Sequence, residues 1–169
     1  EILTAQAAKM ATTDNFEMKD AVLGLESALS QFNMQTEDSN LLLARSTHIL
    51  DVWTKLAHTS GASAQDLTEG VKQSGAAANA AGVSFGFLNA LIATGVRTTA
   101  KSGNEIGTML KSLFASIQSD KAVKAMRKFG IEVYKIGANG KKELRPVEDL
   151  ILDISKELQH TNLDSKSLS

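Results

Sequence analysis

The sequence predicts a mainly α-helical fold, a compact multi-helix domain with one small β-hairpin near residues 131–145. Three observations support this prediction. Proline occurs once among 169 residues, so little in the chain interrupts helix formation. Apolar side chains recur with a period near 3.6 residues over most of the chain, as they do on one face of a helix. After Gly130 the period shortens towards two, and Asn139-Gly140 is typical of a hairpin turn because both residues tolerate positive φ.

Residues 1–34 are expected to form one or two helices. A break is predicted near Thr13 and Asp14, because either side chain could cap the start of a second helix. Residues 39–59 carry a stronger helical pattern, and one stripe along it predicts the buried face. That stripe consists of Leu42, Ser46, Ile49, Leu50, Trp53, Leu56 and Ala57.

The next helix is expected over residues 64–81. Gly61 ends the helix before it, and Ser63 with Asp66 forms a capping box that opens it. This helix is rich in alanine and glycine, and only small side chains allow two helix backbones to approach closely. We therefore interpret it as a helix packed tightly against a neighbour. A flexible linker is the alternative, because Ser-Gly-Ala runs also occur in linkers.

Three shorter amphipathic helices are predicted to follow. Ser84 caps the first helix, which ends at Gly95, and Ser102 begins the second. Asp120 caps the third helix, which Gly130 closes. Their apolar residues predict a shared core, formed by Phe85, Leu88, Leu91, Ile92, Ile106, Met109, Leu110, Leu113, Phe114, Ile117, Val123, Met126 and Phe129.

The hairpin and a last helix complete the predicted fold. Ile131, Val133 and Ile136 alternate with polar residues as in a strand, and the run 141–145 would return as the second strand. Pro146 fits the start of the last helix, because the N–H that proline lacks has no partner there. The apolar stripe of this helix contains Val147, Leu150, Ile151, Ile154 and Leu158.

Three parts are predicted along the chain: a helical extension over residues 1–38, a helical domain with the hairpin over residues 39–160, and a polar tail or linker over residues 161–169. The longest apolar stretch, residues 85–96, is shorter than the roughly 20 residues that a membrane-spanning helix needs. We therefore do not expect this segment to contact a membrane.

Charge is distributed unevenly along the chain, although the total is only −1. Residues 1–80 carry five basic and ten acidic groups, whereas residues 81–146 carry eleven basic and four acidic groups. The basic block defines a candidate interaction patch of Lys121, Lys124, Arg127, Lys128, Lys135, Lys141, Lys142 and Arg145. We interpret this patch as a solvated face or as a contact for an acidic partner, such as the leading 80 residues of another subunit.

A nucleic-acid-binding helical module that uses the basic block over residues 121–145 is the alternative to that interpretation. Lysine and arginine on a helix and an adjacent hairpin could contact phosphates. Single-strand binding also needs aromatic side chains on which bases stack, and only Phe129 and Tyr134 lie nearby in the sequence. The alternative therefore remains second to a protein contact.

The residue types that usually bind metals or act as nucleophiles show no matching pattern. The chain has no cysteine, so disulfides and thiolate metal sites are excluded. No nucleophile motif and no phosphate-binding loop is present. The histidines lack the spacing of a metal site; they are His48, His58 and His160.

Paired carboxylates are the remaining residues that could carry chemistry. Glu37-Asp38 and Glu148-Asp149 lie at or near predicted helix starts, where a negative charge interacts favourably with the helix dipole. We interpret both pairs as capping groups rather than as an acid–base pair. We therefore expect no enzymatic activity, no catalytic residues, no cofactor and no metal.

The order of several short motifs resembles the core region of phage tail tape-measure proteins. The resemblance covers residues 39–159 and is carried by the ordered set rather than by one motif. The set runs T-S-G-A-S-A-Q-D-L, G-V-S-F, L-I-A-T-G-V, S-G-N-E-I-G-T-M-L-K-S-L-F, F-G-I-E-V-Y, N-G-K and P-V-E-D-L-I-L-D-I. Gly137-Ala138 before Asn139-Gly140 departs from the tighter hairpin of that pattern.

The resemblance implies a virion structural protein: the core or anchoring domain of the tape measure that sets tail length and leaves the tail ahead of the DNA during ejection. It implies a homo-oligomer, such as a trimer, whose partners are the tail tube, distal tail and tail-tip hub proteins and the tail assembly chaperones. The expected locations are the tail lumen or tail tip of the virion and, during assembly, the host cytoplasm. A cell-wall hydrolase fragment is a third hypothesis, for which the residues supply no catalytic machinery.

Overall fold

A computed structural model describes residues 1–14, 17–117, 119–138 and 140–167. Within these ranges the fold contains α-helices and one two-stranded antiparallel sheet, so the predicted fold class is confirmed. The elements are α1 (Ile2–Asp14), α2 (Met18–Gln31), α3 (Ser39–Ser60), α4 (Ala64–Ala80), α5 (Phe85–Thr99), α6 (Gly103–Ser116), α7 (Asp120–Lys128), β1 (Tyr134–Ile136), β2 (Lys142–Leu144) and α8 (Val147–Ser167).

The first two helices pack on the helices that follow them. Helix α1 contacts α2 and α3, and α2 contacts α4, with Ala21 and Leu25 fully buried. The predicted caps are wrong, because α1 continues through Thr13 and Asp14 and α2 begins after Glu17, whose side chain makes no capping bond. The alanine-rich turns of α1 favour helix strongly enough to extend it into these residues. The predicted division of the chain into three parts stays a prediction.

The start and end signals of α3 and α4 are confirmed. Asp38 caps α3 and accepts hydrogen bonds from two backbone amides of its first turn. Gly61 ends α3 with a φ of +78°, a conformation that glycine adopts without steric cost. Ser63 and Asp66 form the reciprocal capping box of α4. The predicted stripe of α3 faces the core, with Trp53 fully buried.

Helices α4 and α6 approach each other closely through glycine. A Cβ atom added to Gly107 would lie 2.6 Å from the carbonyl oxygen of Gly70, which is too close for any side chain. On the same face of α4, Ser74 is buried and its hydroxyl donates to that carbonyl oxygen at 2.8 Å. The prediction of a small-residue helix packed tightly against a neighbour is therefore confirmed, and the linker alternative is wrong.

Helix α5 is longer than predicted. Ser84 caps it as expected, but it continues past Gly95 to Thr99, and Ala100 ends it with a φ of +54°. Gly95 does not end the helix but allows α6 to pack closely against it, because a Cβ atom at Gly95 would lie 2.8 Å from the side chain of Ile106 in α6. Helix propensity alone does not distinguish these two uses of glycine.

Several apolar residues that were predicted to be buried are exposed. On α6, Met109 is 55% exposed and Leu113 is 40% exposed, because α6 is covered mainly on the side that faces α4 and α5. At the end of α7, Phe129 is 71% exposed. The cap of α7 was also assigned one residue too late, since Ser119 rather than Asp120 accepts the capping bond.

The hairpin is present with a shorter paired region than predicted. Tyr134 pairs with Leu144 and Ile136 with Lys142, and the loop between the strands spans residues 137–141. Asn139 lies outside the described residues, and Gly140 has a φ of +72°. The first strand therefore begins later than predicted, at Tyr134. Ile131 and Val133 are buried but precede the strand, whereas Ile136 lies in it and is exposed.

The first residues of α8 are hydrogen-bonded to the connection between α4 and α5. The backbone N–H of Val147 donates to the carbonyl oxygen of Ala81 at 3.0 Å. The carboxylate of Glu148 accepts from the backbone N–H of Ser84 at 2.9 Å, so this acidic residue caps a neighbouring helix. Val147 is fully buried, but Leu158 is 60% exposed, which contradicts its assignment to the buried stripe. The helix also continues through residues 161–167, which the sequence predicted as a polar tail.

Candidate functional site

The basic side chains of α7 form an exposed face. At about 100° per residue, Lys121, Lys124 and Lys128 lie within about 60° of one another around the helix. Val123 and Met126 occupy the opposite side and are buried, which fixes this orientation. We call Lys121, Lys124 and Lys128 the basic face; their three ammonium groups are directed away from the core.

Two further members of the predicted patch meet at one aromatic ring. The guanidinium carbon of Arg127 lies 5.4 Å from the centroid of the Tyr134 ring, and the Nζ atom of Lys142 lies 5.1 Å from the same centroid. Both distances are typical of cation–π contacts. Tyr134 therefore links the last turn of α7 to β2, and it holds two positive charges beside the basic face.

The charge of Arg145, another member of the patch, is neutralised within the protein. Its guanidinium donates to a carboxylate oxygen of Asp153 at 2.8 Å and to the carbonyl oxygen of Glu132 at 2.7 Å. The hydrogen bond from Arg145 lowers the pKa of Asp153 below its ordinary value. Arg145 therefore anchors the hairpin to α8 rather than presenting a cation to a partner.

The remaining two members of the patch lie on the hairpin and are exposed. Lys135 pairs in register with Glu143 across the two strands, and Lys141 ends the loop. The structure thus brings most of the predicted patch to α7 and the adjacent hairpin. Its function stays a prediction.

An apolar groove between α7 and α8 borders this basic face. Its volume is about 260 Å³. The residues that line it are Ala125, Met126, Phe129, Ile131, Ile154, Glu157 and Leu158. Sequence reasoning missed this groove, because the helical periodicity that assigned Phe129 and Leu158 to the core also occurs on a face that no described part of the chain covers.

Metal binding and membrane insertion have no support in the part of the chain that the structure describes. No three His, Asp or Glu side chains come together there as a metal site would require. His48 and His58 are exposed on α3, and the side chain of His160 lies outside the described residues. Within the same ranges, none of the helices combines the length and the apolar composition that crossing a bilayer requires.

A family model of phage-related minor tail proteins matches residues 1–167. The chain belongs to the phage-related minor tail protein family. No solved structure matches this minor tail protein. Its family gives it a structural role in the phage tail, in association with other tail components, and a location in the tail of the virion. The tail-protein part of the sequence resemblance is thereby confirmed, and the tape-measure role stays a prediction.

Proposed function

We propose that this minor tail protein segment is the core or anchoring domain of a tape-measure protein. The observation that carries the proposal is the compact fold in a chain matched to the tail family over residues 1–167. Gly70 and Gly107 hold α4 against α6, so these helices form a packed module rather than an extended shaft. A module of this kind suits attachment at one end of a tail, while a continuous helix suits measurement along it.

In this proposal, the rise of the α-helix sets the length of the tail. Each residue of an α-helix adds about 1.5 Å along the axis, so the number of helical residues converts directly into length. In this proposal the segment fixes the ruler at the tail tip, self-associates, and contacts the tail tube, distal tail and hub proteins. Tail assembly chaperones bind the protein in the host cytoplasm, and the protein leaves the tube ahead of the DNA. It acts as a structural protein without enzymatic activity or a cofactor.

Tail length tests the tape-measure role. In-frame helical insertions are made in the encoding gene outside residues 1–167, and tails are measured by electron microscopy. We expect the tail to lengthen by about 1.5 Å per inserted residue. Phage with synonymous codons at the same site serve as the control and keep the parental length. Tails of unchanged length in the insertion phage would overturn the proposal.

Nucleic-acid binding is the second candidate function, and the exposed basic face of α7 favours it. A gel shift with duplex and single-stranded DNA, at low and moderate salt, tests it. If it holds, replacing Lys121, Lys124 and Lys128 by glutamine reduces the shift, whereas the same change at exposed lysines elsewhere does not; the control lysines are Lys19, Lys55 and Lys111. No shift of the unmodified protein at low salt removes this candidate.

A further inference from the structure

We propose that two copies of this chain associate by exchanging their C-terminal parts, so that α7, the hairpin and α8 of each copy pack on helices α1–α6 of the other. We call residues 120–167 the arm and helices α1–α6 the bundle. The surface that receives the arm is the one that the arm already occupies within its own chain. The inference rests on the self-association within the proposed function and not on the length-setting role.

The arm is bonded to the bundle at the connection between α4 and α5. The backbone N–H of Val147 donates to the carbonyl oxygen of Ala81 at 3.0 Å, and the carboxylate of Glu148 accepts from the backbone N–H of Ser84 at 2.9 Å. Among the described residues, the helix pairs that pack closely along each other all belong to the bundle. The arm therefore docks on a small local surface, and a second copy presents the same surface.

Contacts within the arm hold its parts together. The ring of Tyr134 lies 5.4 Å from the guanidinium carbon of Arg127 in α7 and 5.1 Å from the Nζ atom of Lys142 in the hairpin. The guanidinium of Arg145 donates to the carboxylate of Asp153 in α8 at 2.8 Å. These contacts join α7 to the hairpin and the hairpin to α8 without the bundle, so the arm keeps them when it leaves its own chain.

The break between α6 and α7 contains no residue that forbids a helix. Neither glycine nor proline occurs between Ser116 and Asp120. Ile117 already has helical dihedral angles, with φ of −64° and ψ of −24°. Ser119 departs from the helix in ψ, which is 151°, and its hydroxyl accepts a capping hydrogen bond from the N–H of Ala122. Loss of this cap and rotation of ψ at Ser119 would allow α6 and α7 to join into one helix.

In a joined helix the apolar faces of α6 and α7 would point in opposite directions. Phe114 and Val123, each buried in its own helix, are nine positions apart, which corresponds to about 180° around a continuous helix. The face of α6 that carries Phe114 packs on α4 and α5 of its own copy. The face of α7 would then point away from that bundle. A second copy, which offers the same docking surface, is the partner that covers it.

The exchanged pair keeps the contacts of the single chain. Each copy regains on its partner the bonds of Val147 and Glu148 that it loses within itself, and reciprocal exchange closes a dimer with two-fold symmetry. The single chain and the pair therefore differ mainly at the break between α6 and α7. A substitution at this break should shift the balance between monomer and dimer.

Two variants at the break should shift this balance in opposite directions. Ser119→Ala removes the cap from both chains of a pair and favours the joined helix, so we expect dimerisation at least about tenfold tighter than in the parent. Asp120→Pro should be monomeric, because proline fits the first position of α7 after an extended residue but breaks a helix from within. Asp38→Ala, which removes the cap of α3, is the matched control and should associate like the parent. Sedimentation velocity measures all four proteins.

A distance across the break identifies the exchanged form. The chain has no cysteine, so spin labels attach only at Asn104→Cys and Lys128→Cys, two exposed positions of α6 and α7. In a joined helix the Cα atoms of these residues lie about 36 Å apart. Electron–electron double resonance should show this distance in the Ser119→Ala dimer, diluted with unlabelled chain, and a shorter one in the Asp120→Pro monomer.

Four results would each overturn the inference. They are a monomeric Ser119→Ala variant, a dimer without the long distance, an Asp120→Pro variant that dimerises as tightly as Ser119→Ala, and an Asp38→Ala control that dimerises as tightly as Ser119→Ala. None of these results bears on whether tail length follows helical insertions, so the two proposals fail separately.

Discussion

The carboxylate of Asp66 in α4 accepts a hydrogen bond from the backbone amide of Gly103, the first residue of α6, at 2.8 Å. Its other oxygen accepts from the backbone N–H and the hydroxyl of Ser63, at 3.2 Å and 2.7 Å. The first amides of a helix have no partner within the helix, and that end carries partial positive charge. One carboxylate therefore serves the starts of two helices and fixes their relative position.

Removing this carboxylate should lower the free energy of unfolding by more than removing a cap that serves one helix. We expect Asp66→Ala to lower the free energy of unfolding by about 2–4 kcal/mol, because a cap and a charge-assisted hydrogen bond between helices are both lost. Asp38→Ala, which removes the cap of α3 alone, should cost about 1 kcal/mol. Urea denaturation measures both values. Equal losses would mean that the bond to Gly103 does not stabilise the fold.

Replacing glycine by alanine should destabilise the fold at one helical position and stabilise it at another. Gly107→Ala places a Cβ atom against the backbone of Gly70, so we expect a loss of about 1–3 kcal/mol from the forced separation of α4 and α6. Gly86→Ala is the matched control, because no heavy atom lies within 4 Å of its Cβ position and its φ is not positive. At Gly86 the better helix propensity of alanine should raise the free energy of unfolding by about 0.5–1 kcal/mol. Stabilisation at both positions would contradict the close helix contact.

Truncation of Trp53 should be far more costly than truncation of Leu113. Trp53 is fully buried, and its indole N–H donates to Asn89 at 2.8 Å within the core. We expect Trp53→Ala to cost about 3–5 kcal/mol. Leu113→Ala should cost less than about 1 kcal/mol, since the side chain is partly exposed. Thermal or urea unfolding at low protein concentration measures both, and a large loss at Leu113 would show that this face is covered in solution.

The ion pair between Arg145 and Asp153 should make stability depend on pH in the acidic range. The hydrogen bond from Arg145 lowers the pKa of Asp153 below 3.8 in the folded protein. A lowered carboxyl pKa stabilises the fold above the unfolded value, and the stabilisation is lost as pH falls through the folded value. Asp153→Asn should therefore reduce stability at pH 7, and its difference from the parent should shrink below pH 3.8. Asp51→Asn, at an exposed site on α3, is the control for loss of a surface carboxylate and should leave the free energy of unfolding at pH 7 nearly unchanged.

Local signals in the sequence were sufficient to predict much of the fold. The capping box of Ser63 and Asp66 and the termination at Gly61 depend on neighbouring residues alone, and both were predicted. Exposure of Phe129 and Leu113 depends on which element covers each helix face, and periodicity does not contain that information. The ion pair of Arg145 likewise depends on the fold, because it joins the hairpin to α8.

The two hydrogen bonds between α8 and the α4–α5 connection have a mechanical consequence. A pull on α8 reaches the rest of the protein through these two bonds, which join Val147 to Ala81 and Glu148 to Ser84, and through the ion pair of Asp153 with Arg145 at the end of the hairpin. Tension is thereby delivered to the end of α4, the helix packed against α6. In single-molecule force spectroscopy, we expect these two bonds and the Arg145–Asp153 ion pair to break before the hairpin extends.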